Sequence, residues 1–400
     1  MFAVVICPTS NRAPLSSVKD NRLVALNGGV TNYTYDSDPN CSTYTGDLVK
    51  KVDAVSNVTC LAYDAVHRLT AVTYPSGSYA SFTPAKHFVY DSATVNSVVM
   101  TNVAGHLAEA YTCTGTCSTK LTDLGFSYST RGEVLDVYES TPNSGGCYHA
   151  SAGAHYWANG LLQTLNLYKS GGTTLIPQVT YNPDGEGRVA STSVTSGQNP
   201  LTSTNYNLFG EPTAVNFGSL DSDSFQYDSN TGRMTQYNFS VNGRSDVGNL
   251  GWNTNGTLAT LGITDALNSL DTQSCTYGYD DLARITKQNC GSVWSQTFGA
   301  DMFGNLTKAG SVSFNAGYVD QNGNTSNRVV SVGTVIPGYD ANGNLQSDGV
   351  NTYAWDADGN MRTVNSSTVT YDALDRVVEV SGSPSTQVVF DPLGNKLALM

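Results

Sequence analysis

The sequence predicts an all-β protein, a spiral of antiparallel β-hairpin repeats that forms a curved, shell-like or tube-like sheet. Residues that suit turns and half-buried strands dominate the chain, with 39 Gly and 23 Tyr beside abundant Ser, Thr, Asn and Val. The runs of Ala, Leu, Glu and Lys that long helices need are missing. A short aromatic–acid–glycine motif also recurs along most of the chain.

The motif has Tyr, Trp or Phe, then Asp or Asn, two loose positions, Gly, a polar residue and an aliphatic strand. About fifteen copies occur, typically some 16 to 28 residues apart, a period that fits a repeat array. The residues that we assign to repeat turns are Tyr63, Asp64, Tyr227, Asp228, Gly232, Tyr339, Asp340, Gly343, Trp355, Asp356, Gly359, Tyr371, Asp372, Phe390, Asp391 and Gly394.

Each part of the motif has a physical role in a hairpin. The aromatic residue ends a strand and buries its ring against neighbours on the same face. The Asp or Asn side chain accepts a hydrogen bond from a backbone N–H two residues on, and the Gly takes the positive-φ position of the loop. Where Asp375 or His67 replaces the Gly, we expect a less regular loop.

The number of hairpins predicts the architecture. About fifteen hairpins give roughly thirty strands, whereas open twisted sheets rarely exceed about ten strands without curling or splitting. Because strand twist has a fixed hand, we expect one continuous wall that coils and encloses space. We assign residues 1–29 to a non-repeat segment and residues 30–400 to the repeat array.

Composition excludes two classes of partner. Lys, Arg, Asp and Glu make up 13% of the chain and the net charge is −13. A chain so poor in Lys and Arg cannot neutralise many phosphates, so we predict no nucleic-acid partner. No stretch approaches the roughly 20 apolar residues of a membrane helix, and Met1–Pro8 is not a convincing signal peptide.

Eight cysteines in a lysine-poor β chain favour an oxidising compartment. Cys275 and Cys290 flank the turn around Asp281–Arg284 symmetrically, so they could face each other across a hairpin. Either a disulfide or two buried thiols would fit this spacing.

A second group of metal-ligand residue types lies between residues 113 and 155. It comprises Cys113, Cys117, Cys147, His149 and His155. Zinc knuckles need two close ligand pairs, and this set is untidy by comparison. We favour a local Cys113–Cys117 disulfide or two unlinked thiols, and we predict no metal and no cofactor.

Clusters of acidic residues could suggest calcium binding or glycosidase chemistry. A calcium loop needs a distant bidentate Glu between helices, and a glycosidase needs two carboxylates in a cleft. Since most of these residues already have a role as turn formers, we predict no catalytic residue and no enzyme. The residues concerned are Asp356, Asp358 and Asn360 for calcium, and Asp221, Asp223, Asp280 and Asp281 for glycosidase chemistry.

The Tyr-Asp-x-x-Gly-Arg/Asn-Leu copies closely resemble the YD repeats of RHS proteins, toxin-complex C components and animal teneurins, over residues 31–400. The resemblance implies a spiralling β-sheet shell that, in bacterial members, encloses a C-terminal polymorphic toxin. Asp391-Pro-Leu-Gly394 is similar to the autoproteolytic motif that ends such shells. The surrounding consensus is missing, so we interpret these four residues as an ordinary repeat turn.

The function that we predict is that of a structural, encapsulating shell segment, which resembles the shells that enclose and deliver a C-terminal toxin. The alternative is a cell-surface adhesion or carbohydrate-binding module. The expected partners are the remainder of the same polypeptide, with further repeats and a toxin cargo, or cell-surface glycans under the alternative. We expect a secreted or cell-surface protein, of which this chain is a fragment.

Overall fold

The computed structural model describes residues 17–19, 29–150, 155–169, 172–319, 323, 328–382 and 384–400. Antiparallel strands build nearly all of it, each pairing with its neighbour along the chain, which confirms the predicted hairpin array. Two 3₁₀ turns, Ala80–Phe82 and Ser269–Asp271, are the helical elements of the described ranges. Within those ranges no helix has the length and apolar character needed to span a membrane.

The first sheet has thirteen strands, and a small separate hairpin, β7–β8, is inserted between its sixth and seventh strands. In chain order the strands are β1 (Ser17–Lys19), β2 (Val30–Ser37), β3 (Thr43–Val52), β4 (Val58–Tyr63), β5 (Leu69–Ser76), β6 (Ala85–Tyr90), β7 (Thr94–Val95), β8 (Val98–Val99), β9 (Leu107–Cys113), β10 (Lys120–Tyr128), β11 (Val134–Ser140), β12 (Tyr148–Ala150), β13 (Thr164–Lys169), β14 (Thr173–Pro183) and β15 (Val189–Val194).

The second sheet has ten strands in sequence order. They are β16 (Ser203–Tyr206), β17 (Pro212–Asn216), β18 (Ser222–Tyr227), β19 (Met234–Val241), β20 (Arg244–Trp252), β21 (Leu258–Asp265), β22 (Gln273–Tyr279), β23 (Ile285–Asn289), β24 (Ser295–Ala300) and β25 (Leu306–Gly310).

Two short hairpins and a six-stranded sheet follow. The hairpins are β26 (Ala316–Gly317) with β27 (Ser331–Val332), and β28 (Gly338–Tyr339) with β29 (Leu345–Ser347). The last sheet comprises β30 (Tyr353–Trp355), β31 (Met361–Val364), β32 (Ser367–Tyr371), β33 (Val377–Ser381), β34 (Thr386–Phe390) and β35 (Lys396–Leu399).

The expectation of one continuous sheet was wrong in detail, because the ladder of paired strands is interrupted between β15 and β16 and again after β25. The segment that separates β15 from β16, residues 195–202, contains Gly197 and Pro200. Proline has no N–H to donate and both residues favour turns, so strand pairing stops there. The array is therefore divided into sheets of thirteen, ten and six strands joined by irregular segments.

A β-bulge accompanies the repeat aromatic in hairpin after hairpin. The pairing register shifts by one residue at Tyr63, Tyr227, Tyr279 and Tyr371, each of which ends a strand. A bulge increases the local twist of a strand pair. Its repetition at the same place in successive hairpins supplies the curvature of the array.

The array curves until its last sheet packs against its first. We call this contact the winding interface. It is formed by the turns at residues 340–344, 356–360 and 372–376, with Glu379, Gln387, Val389 and Phe390, against residues 53–150 and Leu167 of the first sheet. Its hydrogen bonds join residues far apart in sequence, separated by 238 positions for Thr141 with Glu379 and 289 for Lys86 with Asp375. The chain thus completes a winding within its 400 residues.

Candidate functional site

Most repeat turns share one backbone construction of five residues, whereas the turn at residues 228–233 is one residue longer. In the turn at residues 372–376, the Asp372 N–H donates to the carbonyl of Arg376, and the Asp375 N–H donates to the carbonyl of Asp372. Asp372 Oδ1 accepts from the N–H groups of Leu374 and Arg376, both at 2.9 Å. The aspartate of the motif therefore closes the loop through its side chain as well as its backbone.

The fourth position of the loop is held at positive φ, where Gly is favoured. Gly359 has a φ of 84° and Gly394 one of 82°. His67 and Asp375 hold the same position at φ 64° and 62°. Each of these substitutes has a polar partner: His67 Nδ1 lies 2.7 Å from Asp47 Oδ2, and Asp375 Oδ1 lies 2.5 Å from Lys86 Nζ.

The strand-end aromatics do more than bury their rings. Tyr371 Oη donates to the carbonyl of Met361 at 3.1 Å, and Tyr279 Oη donates to that of Leu258 at 2.9 Å. In both cases the acceptor is the first residue of the strand that leaves the preceding repeat turn. Similar bonds are made by Tyr90, Tyr128, Tyr206, Tyr227, Trp252 and Trp355. Sequence analysis missed this link between neighbouring hairpins, although the recurrence of Tyr and Trp over Phe pointed to a needed donor.

The arginine of the motif connects successive repeats. Arg376 Nε donates to Asp372 Oδ2 at 2.7 Å within its own turn, and its guanidinium lies 4.2 Å from the ring centre of Phe390 in the next. Arg68 does the same with Asp64 and Tyr90. Each arginine thus adds an ion pair and a cation–π contact along the turn edge.

In the winding interface, small apolar residues of the last repeat turns pack against the first sheet. Ala357 packs against Val72 and Tyr74 of β5, and Ala373 packs against Ala110 and Leu124 of β9 and β10. Val389 of β34 joins a buried cluster with Val137, Tyr148, Ala150 and Leu167. The alanine after the motif aspartate is small enough to let the turn approach the sheet closely.

Charged groups accompany these apolar contacts. Lys86 of β6 is buried and its Nζ contacts both Asp358 and Asp375, while the Tyr74 hydroxyl donates to the Asp358 carboxylate. Burial opposes the charged form of Lys86, but the two carboxylates outweigh it and raise the pKa of the amine.

Two glutamates are buried in the winding interface, and their pKa values are shifted in opposite directions. Glu379 accepts hydrogen bonds from Thr141 Oγ1 at 2.8 Å and from the Asn143 N–H at 3.0 Å. Burial acts to raise the pKa of Glu379, but these bonds and that from Ser381 outweigh it and lower the pKa. Glu139 accepts a long bond from the Phe390 N–H, at 3.4 Å, and burial raises its pKa to about 8.

The interface divides the predicted turn residues into two groups. Asp340, Asp356, Asp372 and Asp391 are buried in or beside it, whereas Asp64 and Asp228 are half-buried on turns outside it. The Asp391-Pro-Leu-Gly394 turn has the same backbone bonds as the others, with the Gly394 N–H donating to the carbonyl of Asp391 at 2.9 Å. One motif therefore serves both as an exposed hairpin turn and as a docking surface.

The acidic clusters considered for catalysis or calcium have other partners. Asp358 Oδ2 is contacted by Lys86, and Asn360 Nδ2 donates to Asp375. Asp221 accepts from the Asn242 N–H at 3.0 Å, and Asp280 accepts from Arg284 Nε at 2.7 Å. These carboxylates act as turn-closing or docking groups.

Within the described residues, six cysteines form three disulfides. The structure joins Cys275 to Cys290, with 4.0 Å between their Cα atoms, and Cys113 to Cys117, with 5.0 Å. It also joins Cys41 to Cys60, a pair that the sequence analysis did not propose. Cys147 is buried, and Cys7 lies outside the described residues.

The grouping of Cys113 and Cys117 with Cys147, His149 and His155, which the sequence analysis set aside, is not formed among the described residues, and the favoured local Cys113–Cys117 disulfide is present. His149 stacks on Tyr138, with 4.0 Å between ring centres, and pairs with Asp136 at 3.3 Å. Within the part of the chain that the structure describes, the set of Cys, His and acidic ligands able to surround one ion is His87, Cys113 and Cys117. Strand pairing brings His87 there, and no local sequence spacing revealed it.

Replacing Asp372 with alanine should cost about 3 kcal/mol of folding stability, because it removes three hydrogen bonds and leaves Arg376 without its carboxylate in a buried turn. Asp280 is the matched control, since its side chain makes the same three bonds, at 3.0, 2.9 and 2.7 Å, but is 27% exposed rather than 0%. Asp280→Ala should cause a clearly smaller loss, measured by urea unfolding. Equal losses for the two variants would show that the winding interface does not bury Asp372.

Known proteins resemble the chain in both sequence and fold. The family model described as RHS Repeat matches residues 43–79, which include β3, β4 and β5 and the turns between them. The solved structure of TcdB2-TccC3-TEV is similar to the chain at 15% identity and a TM-score of 0.68, covering 91% of this chain and 20% of that one. That of TcdB2-TccC3-Cdc42 is similar at 14% identity and a TM-score of 0.66, covering 94% and 19%.

A third similar structure is the Tc holotoxin pore of Photorhabdus luminescens with the mutation TccC3-D651A. It matches at 12% identity and a TM-score of 0.57, covering 91% of this chain and 22% of that one. The chain thus spans about a fifth of the length of the solved chains that it matches. No protein of curated function shows significant sequence similarity to it.

Proposed function

Because this chain is an RHS-repeat protein with the fold of the TcdB2-TccC3 structures, we propose that it is a segment of an encapsulating shell. The shell would enclose another part of the same polypeptide, a toxin cargo, and help to deliver it. The winding interface is the observation that carries this proposal. A β-wall whose last sheet seats on its first surrounds a volume, whereas an open array of hairpins would not.

The construction of the interface suits a wall that must stay closed. The apolar side chains of Ala357 and Ala373 pack against the first sheet, and the charged side chains of Lys86 and Glu379 are buried in the same interface. Removing one partner of a buried charge pair lowers the folding stability strongly, so these contacts hold the last sheet in one register against the first. The role that we propose is structural, and the turn carboxylates serve to build the wall.

We further propose that the shell works in an oxidising environment, at the cell surface or after secretion. The three disulfides, Cys41–Cys60, Cys113–Cys117 and Cys275–Cys290, support this location, because structural disulfides are rare in reducing compartments. Each closes a short segment within a hairpin or between neighbouring hairpins.

Protease protection in the native polypeptide that contains this chain would test enclosure. The cargo segment should be cut at least about tenfold more slowly inside the intact shell than after the winding interface is weakened by Asp372→Ala, because proteolysis follows the population of the open form. Asp280→Ala, which alters an equivalent turn outside the interface, should leave the protection unchanged. Cryo-electron microscopy should show a hollow particle with these residues in its wall. A cargo cleaved equally fast in all three proteins would contradict enclosure.

A further inference from the structure

A histidine and a pair of cysteines converge beside the loop that joins β9 to β10. In the pairing of β6 with β9, Ala85 lies opposite Cys113 and His87 opposite Tyr111. Side chains two residues apart share a face of a sheet, so His87 and Cys113 are diagonal neighbours on one face. Cys117, in the loop that follows, reaches back over them. Its Sγ lies 3.6 Å from His87 Nε2, and one ligand atom from each of the three residues lies within 4.8 Å of the others.

This donor set changes its chemistry with oxidation state. In the disulfide form, the sulfur atoms of Cys113 and Cys117 are bonded to each other and are poor ligands. Reduction of the disulfide would free two thiolates beside the His87 imidazole, where one ligand atom from each residue lies within 4.8 Å of the others. Thiolate and imidazole are the ligands that zinc prefers, and two thiolates balance its charge.

The imidazole ring of His87 is held in one orientation beside the two cysteines. Its ring stacks on that of Tyr111, with 4.9 Å between centres and 14° between planes, so its orientation is fixed. Cys113 is fully buried, whereas Cys117 is partly exposed, which gives a reductant and an ion access from the loop side.

The charges around the site are balanced. Lys120 is the nearby cation, with its Nζ 4.6 Å from the centre of the Tyr111 ring. It is paired with Glu109 and with Asp123, whose Oδ2 lies 2.9 Å from it. An incoming dication would therefore not meet an uncompensated positive charge.

We propose that His87, Cys113 and Cys117 form a redox-gated zinc site, closed by the disulfide and opened by a dithiol reductant. Reduction transfers two electrons and two protons from the dithiol to the Cys113–Cys117 bond, and the dithiol becomes a disulfide. Binding of Zn²⁺ then releases the two thiol protons and forms two Zn–S bonds and one Zn–N bond, with water as the fourth ligand. The β9–β10 loop is thus fastened in both environments, by zinc where thiols are reduced and by the disulfide after oxidation.

Cobalt(II) is a suitable probe, because its thiolate complexes absorb light in a characteristic charge-transfer band. The full chain would carry Ser in place of Cys41, Cys60, Cys275 and Cys290. Of the three disulfides in the described residues, Cys113–Cys117 then remains. After anaerobic reduction we expect one Co²⁺ per chain with a thiolate charge-transfer band, displaced by one equivalent of Zn²⁺. The oxidised protein should bind none.

The variants identify the ligands. Cys113→Ser with Cys117→Ser should abolish the charge-transfer band, and His87→Ala should weaken Co²⁺ binding at least about tenfold. His106→Ala is the matched control, since His106 stacks on Tyr128 as His87 does on Tyr111, with 4.5 Å between ring centres, and should bind Co²⁺ normally. His87→Gln replaces His87→Ala if circular dichroism shows that the alanine variant has lost its sheet structure. The proposal is overturned if the reduced protein binds no Co²⁺, if binding survives the double Ser variant, or if neither His87 variant weakens it.

Discussion

Lys86→Met should destabilise the protein by about 3–5 kcal/mol, because it leaves the Asp358 and Asp375 carboxylates facing each other in the winding interface without their shared cation. The Lys86 side chain is only 8% exposed, and methionine fills a similar volume, so the loss is chiefly electrostatic. Urea unfolding measures the total loss. Hydrogen exchange should show that the amides of residues 353–381 lose protection first, since the last sheet is the part that the lysine holds.

Two controls separate charge from packing. Lys396→Met changes an exposed lysine of the last sheet and should have little effect on stability. Adding Asp358→Asn and Asp375→Asn to Lys86→Met should recover much of the loss, because a neutral interface no longer needs the cation. A loss below about 1 kcal/mol for Lys86→Met would mean that water reaches the carboxylates and that the last sheet does not seat there.

Raising the pH from about 5 to about 8 should lower the free energy of unfolding, because the buried carboxyl group of Glu139 resists losing its proton. Burial raises the pKa of this group from 4.5 to about 8 in the folded protein. Between these values the folded state keeps a proton that the unfolded state releases, so stability is full below pH 4.5 and is lost as the pH rises towards 8. At roughly 1.4 kcal/mol for each pH unit, the loss from this one group between pH 5 and pH 8 is about 4 kcal/mol.

Glu139→Gln isolates that effect, because glutamine keeps the shape of the side chain and cannot ionise. The variant should lose the part of the pH dependence due to Glu139 and be more stable than the parent protein at pH 8. Glu379→Gln provides a contrast of opposite sign. The pKa of Glu379 is lowered, so its carboxylate stabilises the protein at neutral pH, and that contribution is lost as the pH falls through the folded pKa. Parallel pH profiles for Glu139→Gln and the parent protein would contradict the assignment.

The repeat turns could be predicted from the sequence because their causes are local. An aspartate that accepts N–H groups two and four residues on, as Asp372 does from Leu374 and Arg376, leaves its signature in consecutive residues. The symmetrical spacing of Cys275 and Cys290 about a turn was visible for the same reason, and the structure joins them. The number of hairpins likewise predicted a curling array, since strand twist accumulates with a fixed hand.

Only the tertiary structure decided which copies of the motif are buried and what they contact. Asp280 and Asp372 belong to turns with the same local bonds, yet only Asp372 is buried, because a sheet more than two hundred residues earlier in the chain lies against it. Contacts such as Lys86 with Asp375, or His87 with Cys117, depend on strand order and curvature rather than on neighbouring residues. The hydrogen bonds of a repeat turn depend on consecutive residues, so the sequence alone predicts them. Burial and charge pairing between distant residues depend instead on the curvature of the whole array.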